Sequence, residues 1–268
     1  PDQQLSACAS SGNLHSSKVL LQQTKRMLTL PRIRRLALEF AGNWLDFRRF
    51  QSHNGVNRER FPNFPNELRQ AMYEEPIRFI ADLIQRDGSV LDLIQAKHTF
   101  VNKPLANHYG IPIEKTDFDT WKRIDNASEY GRGGLLPMSV FLTRNSPGLR
   151  TSPVKRGYWV VRRLLGEHIP APPAEVPEIP DDEAKLGKLS VRDVLVKHRE
   201  VKSCAQCHSR FDSIGLTFEN YGPIGERRTV DLGGRRVDTS AEFPDHSNGK
   251  GLKVLKRYLS HSRLKDVI

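Results

Sequence analysis

The sequence is poor in the residues that commonly announce a function. Only three cysteines and three methionines occur in 268 residues, and aromatics make up 8%. Three cysteines exclude a disulfide framework, since at most one pair could bridge. Cys8, in "LSACASSG", has no partner at ligand spacing and reads as a small, partly buried side chain without a role. No segment approaches the ~20 continuous apolar residues of a membrane-crossing helix. There is no GxGxxG, no P-loop and no internal repeat, which excludes the common dinucleotide, nucleotide-phosphate and solenoid readings. No acid/base dyad or nucleophile–base pair stands out. The chain opens at Pro1-Asp2 without a basic-then-apolar leader and stops at "SRLKDVI", and we read it as a fragment with room for a leader upstream.

Acidic residues are also in deficit: 31 Asp+Glu face 42 Lys+Arg, for a net charge of +11. The excess is scattered in pairs such as Arg34-Arg35, Arg48-Arg49, Arg162-Arg163, Arg227-Arg228 and Arg235-Arg236. Without a basic helix, zinc-finger spacing or an aromatic-glycine motif, this pattern is a solvated basic surface rather than a nucleic-acid site. It suits an acidic protein partner.

What is present is mainly helical. In "PRIRRLALEFAGNWLDF" the residues Ile33, Leu36, Ala37, Phe40, Ala41, Trp44, Leu45 and Phe47 keep a helical period, with Pro31 at a favourable start. "SKVLLQQTKRML" is a shorter amphipathic helix. "NELRQAMYEEPIRFIADLIQRD" buries Leu68, Met72, Phe79, Ile80, Leu83 and Ile84, and Pro76 should kink it or split it in two. Two short helical pieces follow in "SVLDLIQAKHTFVNKPLANHYGIP", and a first helical domain is placed at 1–126.

A second domain, 127–245, opens with the irregular or partly extended "GRGGLLPMSVFLT". Ser152 as N-cap, Pro153 as first residue and Gly166 as stop predict a helix over 153–165, with Val154, Tyr158, Val161 and Leu165 facing inward. Residues 170–183, "PAPPAEVPEIPDDE", read as an extended polyproline-like strap. Ser190 caps a short helix whose inner stripe is Val191, Val194, Leu195 and His198. "TVDLGGRRVDT" reads as a hairpin with a Gly-Gly turn. "GKGLKVLKRYL" is a last helix, within a truncated segment placed at 246–268.

The chemistry concentrates in "SCAQCHSRFDSIG", where Cys204 and Cys207 precede His208. A thioredoxin-like pair needs a strand before its CxxC, but a short helix comes first here. A structural zinc site needs four ligands, and no second CxxC or HxxxH lies nearby. CxxCH is the attachment signature of c-type haem: two thiols reach the two vinyl groups, and the adjacent imidazole meets the iron from the same side.

"SCAQCHSRFDSIGLTFENYGPIGERR" and "GGLLPMSVFLTRNSPGLRTSPVKRGYWVVRRLLGEHIPAPPAEVP" together resemble the multidomain c-type cytochromes of planctomycetes and their relatives, which are assembled from consecutive domains of unknown function. The upstream "LPRIRRLALEFAGNWLDFRRF", "FPNELRQAMYEEPIRFIADLI" and "FVNKPLANHYGIP" resemble the helical domain that precedes the haem-carrying one. The resemblance implies one covalent haem c and a periplasmic or secreted location. Relatives often carry Met three residues after the haem histidine, where this chain has Phe211.

On that reading Phe211, Ile214, Leu216 and Phe218 wall the haem crevice, and Arg150, Lys155 and Arg156 face the propionates. The "FENYGPIGERR" turn, with Gly222 and Gly225, covers the haem edge. Met138, in an irregular segment, is the candidate sixth ligand; His198 or another histidine, and an open or water-bound site, are the alternatives. The expected function is single-electron exchange with another redox protein. The alternatives are a haem-dependent oxidoreductase and a haem-stabilised binding or scaffold module. The sequence does not give the oligomeric state.

Overall fold

The computed structural model describes residues 2–114, 119–170 and 179–267. Residues 171–178 of the proline-rich strap lie outside the described residues. The architecture is mainly α, as expected. The helices that matter below are α1 (Gln3–Ser10), α2 (Ser17–Leu28), α3 (Asn66–Gln85), α4 (Lys103–Tyr109), α5 (Ser139–Arg144), α6 (Pro153–Trp159), α7 (Val191–His198), α8 (Lys202–His208), α9 (Asp212–Leu216) and α10 (Gly251–His261). Among the described residues there are two small antiparallel sheets. In one, β1 (Thr99–Val101) pairs with β2 (Lys122–Ile124); in the other, β3 (Ser240–Glu242) pairs with β4 (Asn248–Lys250). No described helix is long and apolar enough to cross a membrane.

The helical run from Ile33 to Trp44 departs from the expected stripe. Ile33, Ala37, Ala41 and Leu45 are buried, whereas Leu36 and Phe40 are about half exposed. The buried positions recur every four residues, and the wide turn Ala37–Ala41 supplies the underwinding that keeps a four-residue row straight. The row at Leu36 and Phe40 is thereby turned towards solvent.

Of the two outcomes expected at Pro76, the split does not occur: α3 runs through it as one helix. A proline inside a helix costs ~3 kcal/mol. Met72, Ile77 and Phe79, all fully buried around it, offset that cost. In α6, Ser152 caps as expected, its Oγ accepting the Lys155 N–H at 3.2 Å. The helix then widens at Val160–Leu164, and Trp159 and Val160 are buried while Tyr158 points outward. "TVDLGGRRVDT" closes a turn at Gly234, with φ +79°, but forms a single Val230–Arg236 bridge rather than paired strands. β1 and β2 were not anticipated.

One apolar core extends from Ile33 to Val267 and takes side chains from both halves of the chain. Trp44 Nε1–H donates to Arg163 O at 2.6 Å, and Trp159 Nε1–H to Leu45 O at 2.9 Å, so each half anchors an indole of the other. A smaller cluster of Leu186, Val191, Leu195 and Leu216 lies beneath α7.

Buried polar networks lock the junction. The Glu75 carboxyl receives Thr99 and Tyr109 hydroxyls, both at 2.6 Å, and Tyr109 Oη in turn accepts Ser139 N–H at 3.0 Å. Burial pushes the Glu75 carboxyl up to about 7. Arg132 lies 3.7 Å from the Tyr109 ring centre and donates to Pro137 O and Gly225 O. Further along, Arg228 bridges Glu183 at 2.7 Å and Glu219 at 3.1 Å, and Thr151 donates to Glu219 at 2.8 Å.

Candidate functional site

α8 begins where Val201, in extended backbone, accepts the N–H groups of Cys204 and Ala205 at 3.0 and 2.9 Å. Residues three and four apart share a helix face, so this one turn gathers Cys204, Cys207 and His208. Both cysteines are free thiols and half-buried. Cys207 touches the edge of the main core.

The His208 ring is held from behind. A carboxylate only accepts, so Nδ1–H donates to Asp212 Oδ1, at 2.9 Å. Asp212 is fully buried at the start of α9. That start is fixed by backbone contact between α6 and α9. A Cβ on Gly157 would lie 2.0 Å from Phe211 O, and one on Gly215 only 1.8 Å from Pro153 O. Only glycine at both positions permits this approach. With Nδ1 occupied, His208 Nε2 has no hydrogen-bond partner among the described residues.

The surroundings are aromatic and apolar. Phe211 lies 5.0 Å from the His208 ring, with Tyr158 edge-on to Phe211 at 6.3 Å. Ile214 and Phe218 are buried in the same core cluster as Phe211, whereas Leu216 belongs to the small cluster with Val191 and Leu195 and does not join that wall. Val196, Val201 and Tyr158, around the same helices, are large apolar side chains left exposed. His198 packs against His208, ring centres 4.6 Å apart and inclined at 61°. Two imidazoles on opposite sides of one metal, at about 2.0 Å per bond, have centres more than about 6 Å apart. His198 therefore sits beside His208 and does not face it across a metal. Burial holds the His198 imidazole below the ordinary histidine range, and His208 acts in the same direction.

The basic candidates separate. Arg156 is fully buried, donating to the carbonyls of Leu142, Phe218, Tyr221 and Gly222 and to Ser146 Oγ at 2.6–3.2 Å. This corrects its assignment to a propionate: its guanidinium ties the "FENYGPIG" turn to α5, and burial pulls it down to about 10, still charged at neutral pH. Arg150 donates to Pro180 O at 2.9 Å and Thr151 O at 3.1 Å, clasping the chain where it returns from the strap. Lys155 is exposed. Arg199, which the sequence reading did not single out, places Nε 3.7 Å from Asp212 Oδ2. It borders a cleft of about 480 Å³ with Arg192, Ser213 and Lys250.

Met138 precedes α5 as its N-cap, and its side chain is 1% exposed within the main core. Gly225, with φ +77°, lets the "GPIG" turn close onto Ser139, since a Cβ there would meet Ser139 Oγ at 2.4 Å.

Asp212, Gly157 and Gly215 are the site residues that the sequence reading missed. The four-residue spacing of His208 and Asp212 was the available signal. Among the described residues, no three His, Cys, Asp or Glu side chains gather as an ion-binding group. Two free thiols and one imidazole with a bare Nε2 on a single turn are the donor set of haem attachment, so these residues fit that group.

Two family models match the chain. Residues 1–111 match PSD4, protein of unknown function (DUF1592), and residues 132–231 match PSCyt3, protein of unknown function (DUF1588). No curated protein and no solved structure matches it.

Proposed function

We propose that this chain, which carries two consecutive domains of unknown function, is a c-type haem protein that passes single electrons to or from another redox protein. One observation carries the reading: a single turn of α8 presents two free thiols and an imidazole whose Nδ1 is held by Asp212 and whose Nε2 has no hydrogen-bond partner among the described residues. Cys204 and Cys207 would hold one haem covalently, and His208 Nε2 would meet the iron. The bound group supplies one-electron chemistry. The chain supplies an apolar wall at Phe211, orientation of the imidazole, and exposed Val196, Val201 and Tyr158 that a large planar group would shield from water. Arg199 and Lys155 are available to haem carboxylates, and Arg150 is partly so. Covalent attachment of this kind places the protein in the periplasm or outside the cell. The net charge of +11 favours an acidic partner.

Met138 is the candidate for the far side of the iron, and packing in the core is the competing explanation of its burial. Met138→Leu separates the two, because this exchange costs less than ~1.5 kcal/mol of packing yet removes the sulfur. Loss of a methionine–iron absorption band in the variant supports ligation. A high-spin iron in the unmodified protein that binds small ligands at once supports an open site and the oxidoreductase reading.

The test of the main proposal is denaturing mass analysis of protein matured with haem-attachment machinery. One haem should stay on the chain and be lost from a Cys204→Ala, Cys207→Ala double variant. A chain that matures normally and retains none ends the proposal.

A further inference from the structure

We infer that Asp212 is a positioning residue that fixes His208 as its Nδ1–H tautomer, presents Nε2 bare towards a metal, and lowers the reduction potential of the iron that Nε2 would hold. The inference rests on the proposed haem reading for its redox half only; the tautomer is a property of the chain itself.

Three observations carry it. Asp212 has no solvent exposure, so this is not an i,i+4 pair on a wet helix face, where such contacts contribute little. Its carboxylate is committed to His208. Oδ1 takes the imidazole Nδ1–H at 2.9 Å, and Oδ2 is buried without a hydrogen-bond partner among the described residues. Arg199 Nε, at 3.7 Å from Oδ2, is too far to bond it and moderates its charge only through space. The third observation is rigidity. Asp212 follows Phe211, whose carbonyl is pressed against Gly157, and Gly215 of the same helix is pressed against Pro153. The backbone that carries the carboxylate cannot shift without separating α6 from α9, and the His208 hydrogen bond holds the side chain on it.

Two consequences follow from this arrangement. An imidazole whose Nδ1–H is held by a carboxylate can expose only Nε2 as a donor, and its ring orientation is set before any metal arrives. The same hydrogen bond adds electron density to the ring and makes Nε2 a more basic ligand, which favours the oxidised, more positive iron over the reduced one. The negative charge beneath the ring acts in the same direction. His198, T-shaped against the ring, further narrows its rotation.

The test has two arms. In the first, the chain made without haem attachment is labelled at histidine nitrogens and read by NMR at pH 8. His208 should show a protonated Nδ1 and a bare Nε2; the reverse tautomer overturns the inference whether or not the protein carries haem. In the second, the reduction potential of haem-loaded protein is compared with Asp212→Asn, which removes the charge and nearly keeps the volume. The variant should favour the reduced form about tenfold more, about 59 mV for a one-electron couple. Asp212→Glu should recover at least half of that shift, an effect that a purely structural role would not produce. An unchanged potential in a folded Asp212→Asn protein overturns the redox half. A chain that retains no haem defeats the proposed function, and the tautomer measurement then decides the positioning claim alone.

Discussion

The Arg228 network and α8 lie close in sequence but are held in opposite ways. Around Arg228, charge is taken deep into the protein and paired: Glu183 is unexposed, Glu219 nearly so, and the guanidinium reaches both as well as Thr151, leaving Glu219 Oε1 without a hydrogen-bond partner among the described residues. α8 carries the candidate site, yet it is seven residues long and held through His208 to Asp212 and through Cys207 at the core edge. The α7 helix before it packs its own Val191 and Leu195 against Leu186 and Leu216. The difference separates scaffold from site. The buried charges are paired only in one arrangement of the chain, whereas α8 has few buried anchors and is flanked by the exposed Val196 and Val201.

Removing Arg228 tests the first half of this contrast and should have the largest effect. Arg228→Met leaves Glu183 and Glu219 buried without their cation, and the loss of one partner of a buried ion pair costs about 3–5 kcal/mol. Urea unfolding should show a loss of that size. A change under 1 kcal/mol would mean that the network is solvated and that the contrast with α8 is false.

Leu195→Ala tests the second half. Leu195 is fully buried in the small cluster under α7, and such a truncation costs roughly 2–3 kcal/mol where the site is peripheral and can partly collapse. Hydrogen exchange should locate the loss: amides of α7 and α8 should exchange faster while those of α3 keep their protection. Equal acceleration in α3 would show that motif and scaffold unfold as one unit.

Glu75→Gln sharpens the comparison by pH. Burial raises the carboxyl from 4.5 to about 7, against the opposing hydrogen bonds from Thr99 and Tyr109. The folded protein therefore prefers the neutral acid, while the unfolded chain ionises from about pH 4.5 upward. The stability Glu75 contributes is complete below 4.5 and is lost as pH rises through about 7. At 1.36 kcal/mol per pKa unit the whole loss is about 3 kcal/mol. Glutamine has no charge to desolvate, so the variant should gain about 2–3 kcal/mol over the parent at pH 8 and nothing at pH 4.5. A pH-independent difference between the two proteins would exclude a neutral Glu75.

The parts of this fold that local rules govern were legible in the sequence. The Ser152 and Ser190 caps, the burial of Met72 and the α10 helix follow from spacing and capping chemistry. The misread parts depend on contacts between distant segments. Pro76 would break an isolated helix but sits among buried side chains; Leu36 and Phe40 turn outward because a wide turn changes the period; Arg156 looks like a surface charge until carbonyls from the "FENYGPIG" turn surround it. The candidate site divides in the same way. Cys204, Cys207 and His208 are neighbours in sequence, so their grouping on one turn could be read from spacing alone. Asp212 acquires its meaning only when the contact at Gly157 and Gly215 buries it.

The smallest expected effect lies at the start of α7. Ser190 and Asp193 form a capping box: Ser190 Oγ accepts Asp193 N–H at 3.2 Å, and the Asp193 carboxylate accepts the Ser190 N–H at 2.8 Å. Ser190→Ala leaves one helix donor unpaired and should cost about 1 kcal/mol. Where that loss appears matters more than its size. Because α7 is joined to the rest mainly through its small cluster, the variant should raise exchange in the first turns of α7 and leave the global unfolding midpoint nearly unchanged. Its effect on His198, at the far end of the same helix, can be followed by the histidine resonance. A His198 signal that stays in place while the first turn frays would mean that the ring is held by its packing against His208 and not by the helix that carries it.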